Sequence, residues 1–344
     1  MSGRWGCLVW LGALGCAGAT VPDAKDPVET DTEPVEDSEV DPGETDEAPG
    51  VPVYEPVEPS YELRVNQADG VDVAVAAADA AVGVVLVFHG SGGGIGLMDT
   101  IDMIALSNAF VARGLTVVAM ESDNRASGQF DDSTAPADNP DWVRLGLVRQ
   151  QLLDAALITE ATPMVAWGFS AGGAFATYVT HAAAEAGWPI RGLIAHSTRA
   201  RSDRYADPGP LPALFSIGPN DEAVSFDSVE ALYNERQAEG REDLWLPLTE
   251  RALAPTWFAR VPYITVAESR RVVLGLVELG YFSDRGERLF EGGSFDAKVD
   301  EMVLAVQPRY APPVTAQLKV LLALHTVSAQ HADAEADAAL AWVQ

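Results

Sequence analysis

Residues 164–186 read MVAWGFSAGGAFATYVTHAAAEA, and the order of residue types in this stretch decides the fold. Met164–Phe169 is short and almost wholly apolar, as expected of a strand buried on both faces of a parallel sheet. From Gly172 to Ala186 small and apolar residues recur at helical spacing. Between the two stands Gly168-Phe169-Ser170-Ala171-Gly172, a G-x-S-x-G pattern at a strand-to-helix junction. A strand that turns so abruptly into a helix strains its turn residue and exposes that side chain, and the flanking glycines remove the side chains that would clash. Ser170 Oγ is then presented at a helix N-terminus, where the dipole favours developing negative charge.

Outward from this junction, strand-like runs alternate with helical patterns. Strands are expected at 61–66, 71–77, 82–88, 115–120, 191–195, 213–217 and 318–324. Helices are expected at 99–113, 142–158, 226–238 and 332–343. Such alternation predicts an α/β fold with a mainly parallel central sheet flanked by helices. The nearly unbroken aliphatic run 82–88 leads into His89-Gly90-Ser91-Gly92-Gly93-Gly94. Glycines there let backbone N–H groups approach a tetrahedral oxyanion closely. A phosphate-cradling reading fails, because G-x-G-x-x-G would need glycine where Ile95 or Leu97 stands, and no Gly-Lys-Ser/Thr follows.

These motifs, in this order, resemble the α/β-hydrolase family, specifically its serine esterases and related peptidases, over roughly 61–240 and 314–344. The resemblance implies Ser170 as nucleophile. It implies an oxyanion hole from the N–H of Ala171 with that of Ser91 or Gly90, and a structural role for His89. The run Pro212–Asp221 resembles the family's strand-seven signature, in which G-x-x-D supplies the acid. Asp221 is therefore expected as the acid, with Glu222 the adjacent fallback and Asp203 a more distant one. A carboxylate there can accept from the histidine Nδ1, fixing its tautomer and stabilising the imidazolium. For the base, His181 lies eleven residues along the helix from Ser170, roughly 16 Å, and is too far away. His196 ends strand six. His331 is preferred because it immediately precedes the terminal helix, as the family's catalytic histidine often does; His325 is the alternative base. Hydrolysis of carboxylic esters through an acyl-enzyme follows from the resemblance, with no metal and no organic cofactor. A serine peptidase or amidase on the same fold is an alternative, as is a non-catalytic surface protein that kept the fold.

Two segments depart from the plain fold. About 70 residues, approximately 241–313, intervene between Asp221 and the expected last strand, with helices anticipated at 248–260, 266–279 and 295–306. Ile264, Val272, Leu276 and Leu279 recur there at helical spacing, which favours the insertion's own core or a docking face over a mobile lid. The second segment is the loop 122–141, carrying Phe130, Asp131 and Asp132. It would lie near the site as a wall, with its acids solvated and without a catalytic role.

The remaining chain sets the setting. Of 344 residues, 51 are acidic and 22 basic, for a formal net charge of −29. A body that acidic repels phosphate backbones, so nucleic acid is excluded as a partner. Both cysteines, Cys7 and Cys16, lie in the first sixteen residues, so the body can hold no disulfide framework. The apolar run 5–15 behind Arg4 is too short to span a bilayer and suits a signal peptide, 1–15. Ala13-Leu14-Gly15-Cys16 resembles the lipobox of bacterial lipoproteins, which implies Cys16 as a lipidated mature N-terminus and an extracytoplasmic, lipid-anchored protein. Residues 16–60 then read as an acidic, proline-rich tether; 21–60 alone hold 14 acids, one lysine and eight prolines. The folded domain is expected over 61–344. Its partners would be a small or polymeric ester and, through the lipid alone, a membrane.

Overall fold

Short, largely aliphatic strands, four of them followed by a helix, have one economical solution: a mainly parallel sheet with helices on both faces. The computed structural model describes residues 52–68, 70–291, 294–306 and 308–344, so the signal peptide, Cys16 and tether residues up to 51 lie outside the described residues. Its eight strands are β1 (Leu63–Ala68), β2 (Val71–Ala76), β3 (Gly83–Phe88), β4 (Leu115–Met120), β5 (Met164–Phe169), β6 (Ile190–His196), β7 (Ala213–Ser216) and β8 (Leu244–Trp245). They form one sheet in the order β1-β2-β4-β3-β5-β6-β7-β8. Only the β1–β2 and β2–β4 pairs are antiparallel; every pair from β4 to β8 is parallel. This is the helix-flanked, mainly parallel sheet of the α/β-hydrolase fold.

The helices divide between two cores. On one face, side chains of α2 (Pro140–Asp154), α3 (Ala171–Glu185) and α4 (Phe226–Ala238) pack on alternate strand residues such as Phe88, Ala166 and Phe215. On the other, α1 (Ile101–Ala112) and α8 (Ala332–Val343) cover Val85, Trp167 and Ile194. Phe130 of the 122–141 loop belongs to the first core, stacked on Phe175 at 4.8 Å and edge-on to Phe88 at 5.6 Å. Asp141 pins the same loop, accepting the N–H groups of Asp123 and Asp131.

Three expectations need correction. The run 318–324 is not a strand: it is the end of α7 (Ala311–Leu321) and the turn after it. Val314, Leu318 and Leu321 are spaced to bury one helical face, and Pro312 and Pro313 fit the first turn, where no N–H partner is lost. The last strand is instead β8, two residues long and too short to show a period. Asp243 anchors it by accepting from the Ala213 N–H and from the Arg236 guanidinium, both buried. The helical excursion therefore follows the last strand. Within it, 248–254 forms no helix: the Leu248 N–H continues pairing to Ile217 and the Arg251 N–H pairs to Leu321, before a turn at Pro255 and Thr256. Only Trp257–Arg260 forms a 3-10 turn. The helices α5 (Val266–Glu278) and α6 (Phe295–Val306) stand as expected.

The excursion has its own core of Trp257, Phe258, Ile264, Val272, Leu276, Val299 and Leu318; Leu279 is exposed. The tether expectation also ends too late. Residues 52–60 lie against the body: the Tyr54 ring meets Trp257 edge-on at 4.9 Å, and the Tyr54 and Val57 N–H groups donate to Thr256 Oγ1 and the Arg260 carbonyl. Ser60 and the Glu58 carbonyl add hydrogen bonds to Asn108 of α1.

Candidate active site

Ser170 connects β5 to α3 at φ 54° and ψ −122°. A non-glycine residue there is strained by roughly 1–3 kcal/mol and persists only where its surroundings enforce it. Its N–H donates to the His196 carbonyl at 3.0 Å, and its carbonyl accepts from Gly173 at 2.9 Å. The flanking glycines are required by close backbone approach. A Cβ on Gly172 would fall 2.2 Å from the Phe88 carbonyl oxygen and 2.3 Å from that of His89, and one on Gly168 would fall 2.3 Å from the Gly172 oxygen. The G-x-S-x-G glycines thus let the start of α3 cross the end of β3.

That crossing sets the 89–94 loop beside the serine: a Cβ on Gly90 would lie 3.1 Å from Ser170 Cβ. His89 shapes the loop. Its Nε2 accepts the Ser122 N–H at 3.3 Å, which leaves Nδ1–H to donate to the Gly90 carbonyl at 2.8 Å. Burial holds its pKa below the ordinary histidine value, so the ring stays neutral in this tautomer. The Gly92 N–H is taken by Ser127 and that of Gly93 by Gly90. The N–H groups of Gly90, Ser91 and Ala171, the expected oxyanion donors, have no acceptor among the described residues.

Beyond β7 the chain runs Gly218-Pro219-Asn220-Asp221 against residues 322–325. A Cβ on Gly218 would fall 1.9 Å from the Ala323 carbonyl oxygen, Asn220 Nδ2 donates to the Leu322 carbonyl at 2.8 Å, and Ala323 itself has φ 52°. The Asp221 carboxylate is fully buried. It accepts the Ala223 and Val224 N–H groups at 3.0 and 2.9 Å and His325 Nδ1 at 3.1 and 3.0 Å. The His325 ring lies on Phe169, the residue before Ser170, at 4.9 Å between centroids. Ser170 Oγ has no hydrogen-bond partner among the described residues; in ligand-free sites such bonds are commonly long and tighten with substrate.

The structure pairs Asp221 with the alternative histidine, His325, and not with the preferred His331. His331 points away from Asp221, with Nε2 donating to the Pro247 carbonyl at 3.0 Å, while the alternative, His325, holds the carboxylate. His331 does precede α8, but it supports the chain just beyond β8, a strand with no sequence signal. Glu222 is used elsewhere, accepting the Phe295 N–H at the start of α6, and the Asp203 N–H donates to Asp132. His181 Nε2 donates to the Asp207 carbonyl at 2.8 Å, its ring stacked on Tyr205. His196 is fully buried against Glu335 of α8 at 2.9 Å.

One group escaped sequence reasoning. Asp102, at the start of α1 and 4% exposed, accepts from Arg260, from Gln317 of α7 and from the Ala329 N–H beyond His325. Its partners lie 158, 215 and 227 residues away, so no local pattern could mark it. It ties α1 to the excursion and to the histidine loop. Beside it opens a cavity of about 570 Å³ whose lining includes Phe169 and His325.

No protein-family model matches the chain, and no curated protein matches it. Among solved structures it is similar to an esterase/lipase from an uncultured bacterium, at 17% identity over 57% of this chain and 76% of that one, TM-score 0.39. It is also similar to an arylesterase (15% identity, 57% and 78% covered, TM-score 0.39). A third is an esterase of the bacterial hormone-sensitive lipase family (18% identity, 56% and 75% covered, TM-score 0.40). The fold rests on the strand order and helix placement described above, with these as similar molecules.

Proposed function

We propose that the protein is a serine hydrolase that cleaves carboxylic esters, with Ser170 as nucleophile, His325 as base and Asp221 as the acid that orients it. The observation that carries this reading is the pairing of His325 with the buried Asp221 carboxylate, the His325 ring lying on Phe169, one residue from a strained serine at a helix start. Asp221 holds the proton on His325 Nδ1, which leaves Nε2 to take the Ser170 proton as Oγ attacks the ester carbonyl carbon. The carbonyl electron pair moves onto oxygen, held by the N–H groups of Ala171 and of Ser91 or Gly90. Collapse expels the alcohol, protonated by His325, and leaves an acyl-enzyme. Water, deprotonated by the same imidazole, then releases the acid and restores Ser170.

The test is labelling of the purified protein with a fluorophosphonate, together with ester turnover. Wild type is expected to label, and Ser170→Ala and His325→Ala to lose about 10⁴- to 10⁶-fold in kcat. His331→Ala is expected to stay within a few-fold. Labelling that survives in Ser170→Ala, or a loss confined to His331→Ala, would refute the assignment. Turnover of matched esters and amides separates an esterase from a peptidase.

We further propose export as a lipoprotein anchored through Cys16, supported by the apolar run 5–15 and the Ala13–Cys16 motif. Radiolabelled palmitate should enter the wild type and not Cys16→Ser. Label in both would defeat this reading.

A further inference from the structure

The cavity beside His325 has a composition that selects its occupant. Its floor is Phe169 and His325; one wall is Ile101 and Ile104 of α1, and the other comes from the excursion, through Val261, Tyr263 and the α7 residues Pro313, Ala316 and Val320. At about 570 Å³ it falls within the ~300–1,000 Å³ typical of small-molecule sites. Its buried polar groups are engaged: Asp102 and Gln317 bond to each other and to Arg260. The charged lining residues are Asp99 and Asp102, and the lining contains no lysine or arginine. The excursion's own buried core, with Trp257, Phe258 and Leu318 fully enclosed, fixes the far wall without any need for closure.

We infer that this cavity receives the uncharged hydrocarbon part of the substrate ester, with the α7 wall at Ala316 and Val320 setting the length accepted and a lining that offers a second carboxylate Asp99 but no unpaired cation. The inference rests on the ester-hydrolase reading and adds a substrate class to it. Apolar surface buried in such a cavity is worth about three- to fourfold in kcat/KM per methylene until the space is filled. A carboxylate carried into it would meet Asp99, an Asp102 already paired with Arg260, and no lysine or arginine in the lining.

The experiment measures kcat/KM for methyl esters from acetate to octanoate and for acetates of methyl to octyl alcohol. Wild type is expected to prefer the long member of one series by at least a hundredfold, and the series that responds identifies the half of the ester bound. Ala316 is exposed on the cavity wall, so Ala316→Trp needs no rearrangement of the core and should cut the long-to-short ratio at least tenfold. In the responding series a terminal carboxylate should lower turnover at least tenfold: monomethyl suberate against methyl octanoate for a bound acyl chain, 8-acetoxyoctanoate against octyl acetate for a bound alcohol chain. Flat series in both directions, with Ser170 still labelled by fluorophosphonate, would overturn the pocket assignment and leave the hydrolase standing; equal turnover of the charged and uncharged esters would overturn its charge selectivity. Should no ester be turned over and Ser170 not label, the hydrolase reading fails, and calorimetric binding of 1-octanol to Ser170→Ala decides the cavity alone. Binding abolished by adding Ala316→Trp upholds it, and binding unchanged by that substitution overturns it.

Discussion

Ser170 and the 89–94 loop are held in register by backbone crossings inside the sheet, where β3, β5 and β6 meet within a few ångströms. His325 reaches the same place after a long excursion that leaves the sheet at β8 and builds a core of its own. The first half of the site is made of short-range constraints: glycines that admit close approach, a strained φ, a neutral histidine bracing a loop. The second is made of side-chain bonds between distant segments, of which Asp102 to Arg260, Gln317 and Ala329 is the chief. Local constraint leaves a mark in sequence, while long-range bonding does not.

Breaking the second half at its hub should have the largest effect on stability. Asp102→Ala leaves the Arg260 guanidinium, 9% exposed, without its carboxylate and strands the Gln317 amide. Removing one partner of such a buried pair costs about 3–5 kcal/mol. Urea unfolding should show that loss. Asp102→Asn keeps an acceptor for Ala329 and should cost less. If Asp102→Ala unfolds at the wild-type midpoint, the excursion is held by its apolar core alone.

A smaller effect is expected from residues 52–60, which clasp the excursion from outside. They contribute one edge-to-face aromatic pair, hydrogen bonds from Tyr54, Val57 and the Thr256 hydroxyl, and exposed hydrogen bonds of Ser60 and the Glu58 carbonyl with Asn108 of α1. Together these are worth about 1–3 kcal/mol in a half-exposed setting. A chain starting at Pro52 should therefore be more stable to urea than one starting at Tyr61 by that amount, and Tyr54→Ala in the longer chain should lose most of the difference. Equal stability would return these residues to the tether.

The same contrast explains why some elements are legible in the sequence and others are not. The strands β3 to β7, the helices α1 to α4 and α8, and the Ser170 junction were legible because each carries its own period or its own turn chemistry. The turn that carries Asp221 was legible because Gly218 must be glycine for the chain to pass Ala323. Which histidine meets Asp221 was not legible, because the choice between His325 and His331 depends on the path of the chain after β8, and a two-residue strand has no period. The apolar run 318–324 suits a strand as well as one buried helical face, and only the excursion's core, distant in sequence, selects the helix. Asp131 and Asp132, read as solvated, belong to a loop that Phe130 and Asp141 fix from within.

The smallest prediction probes the first half of the site through His89. Its folded-state pKa is depressed, chiefly by burial, whereas the unfolded chain titrates at the ordinary value of about 6.5. As pH falls through that value the unfolded state binds a proton that the folded state refuses, so stability falls on acidification and is fully present above it. The slope from one such group is at most about 1.4 kcal/mol per pH unit, and it ends where the folded ring finally protonates. Protonation would also turn Nε2 from acceptor to donor and lose the Ser122 N–H bond that aims Nδ1–H at Gly90. Unfolding free energies at pH 7.5, 6.5 and 5.5 should therefore fall more steeply for wild type than for His89→Gln, by up to one proton's worth. The difference should be absent between pH 7.5 and 8.5, where both states hold the ring neutral. Parallel curves throughout would mean that the 89–94 loop tolerates a charged His89 and that the sheet half of the site is less tightly enforced than its close backbone approaches require.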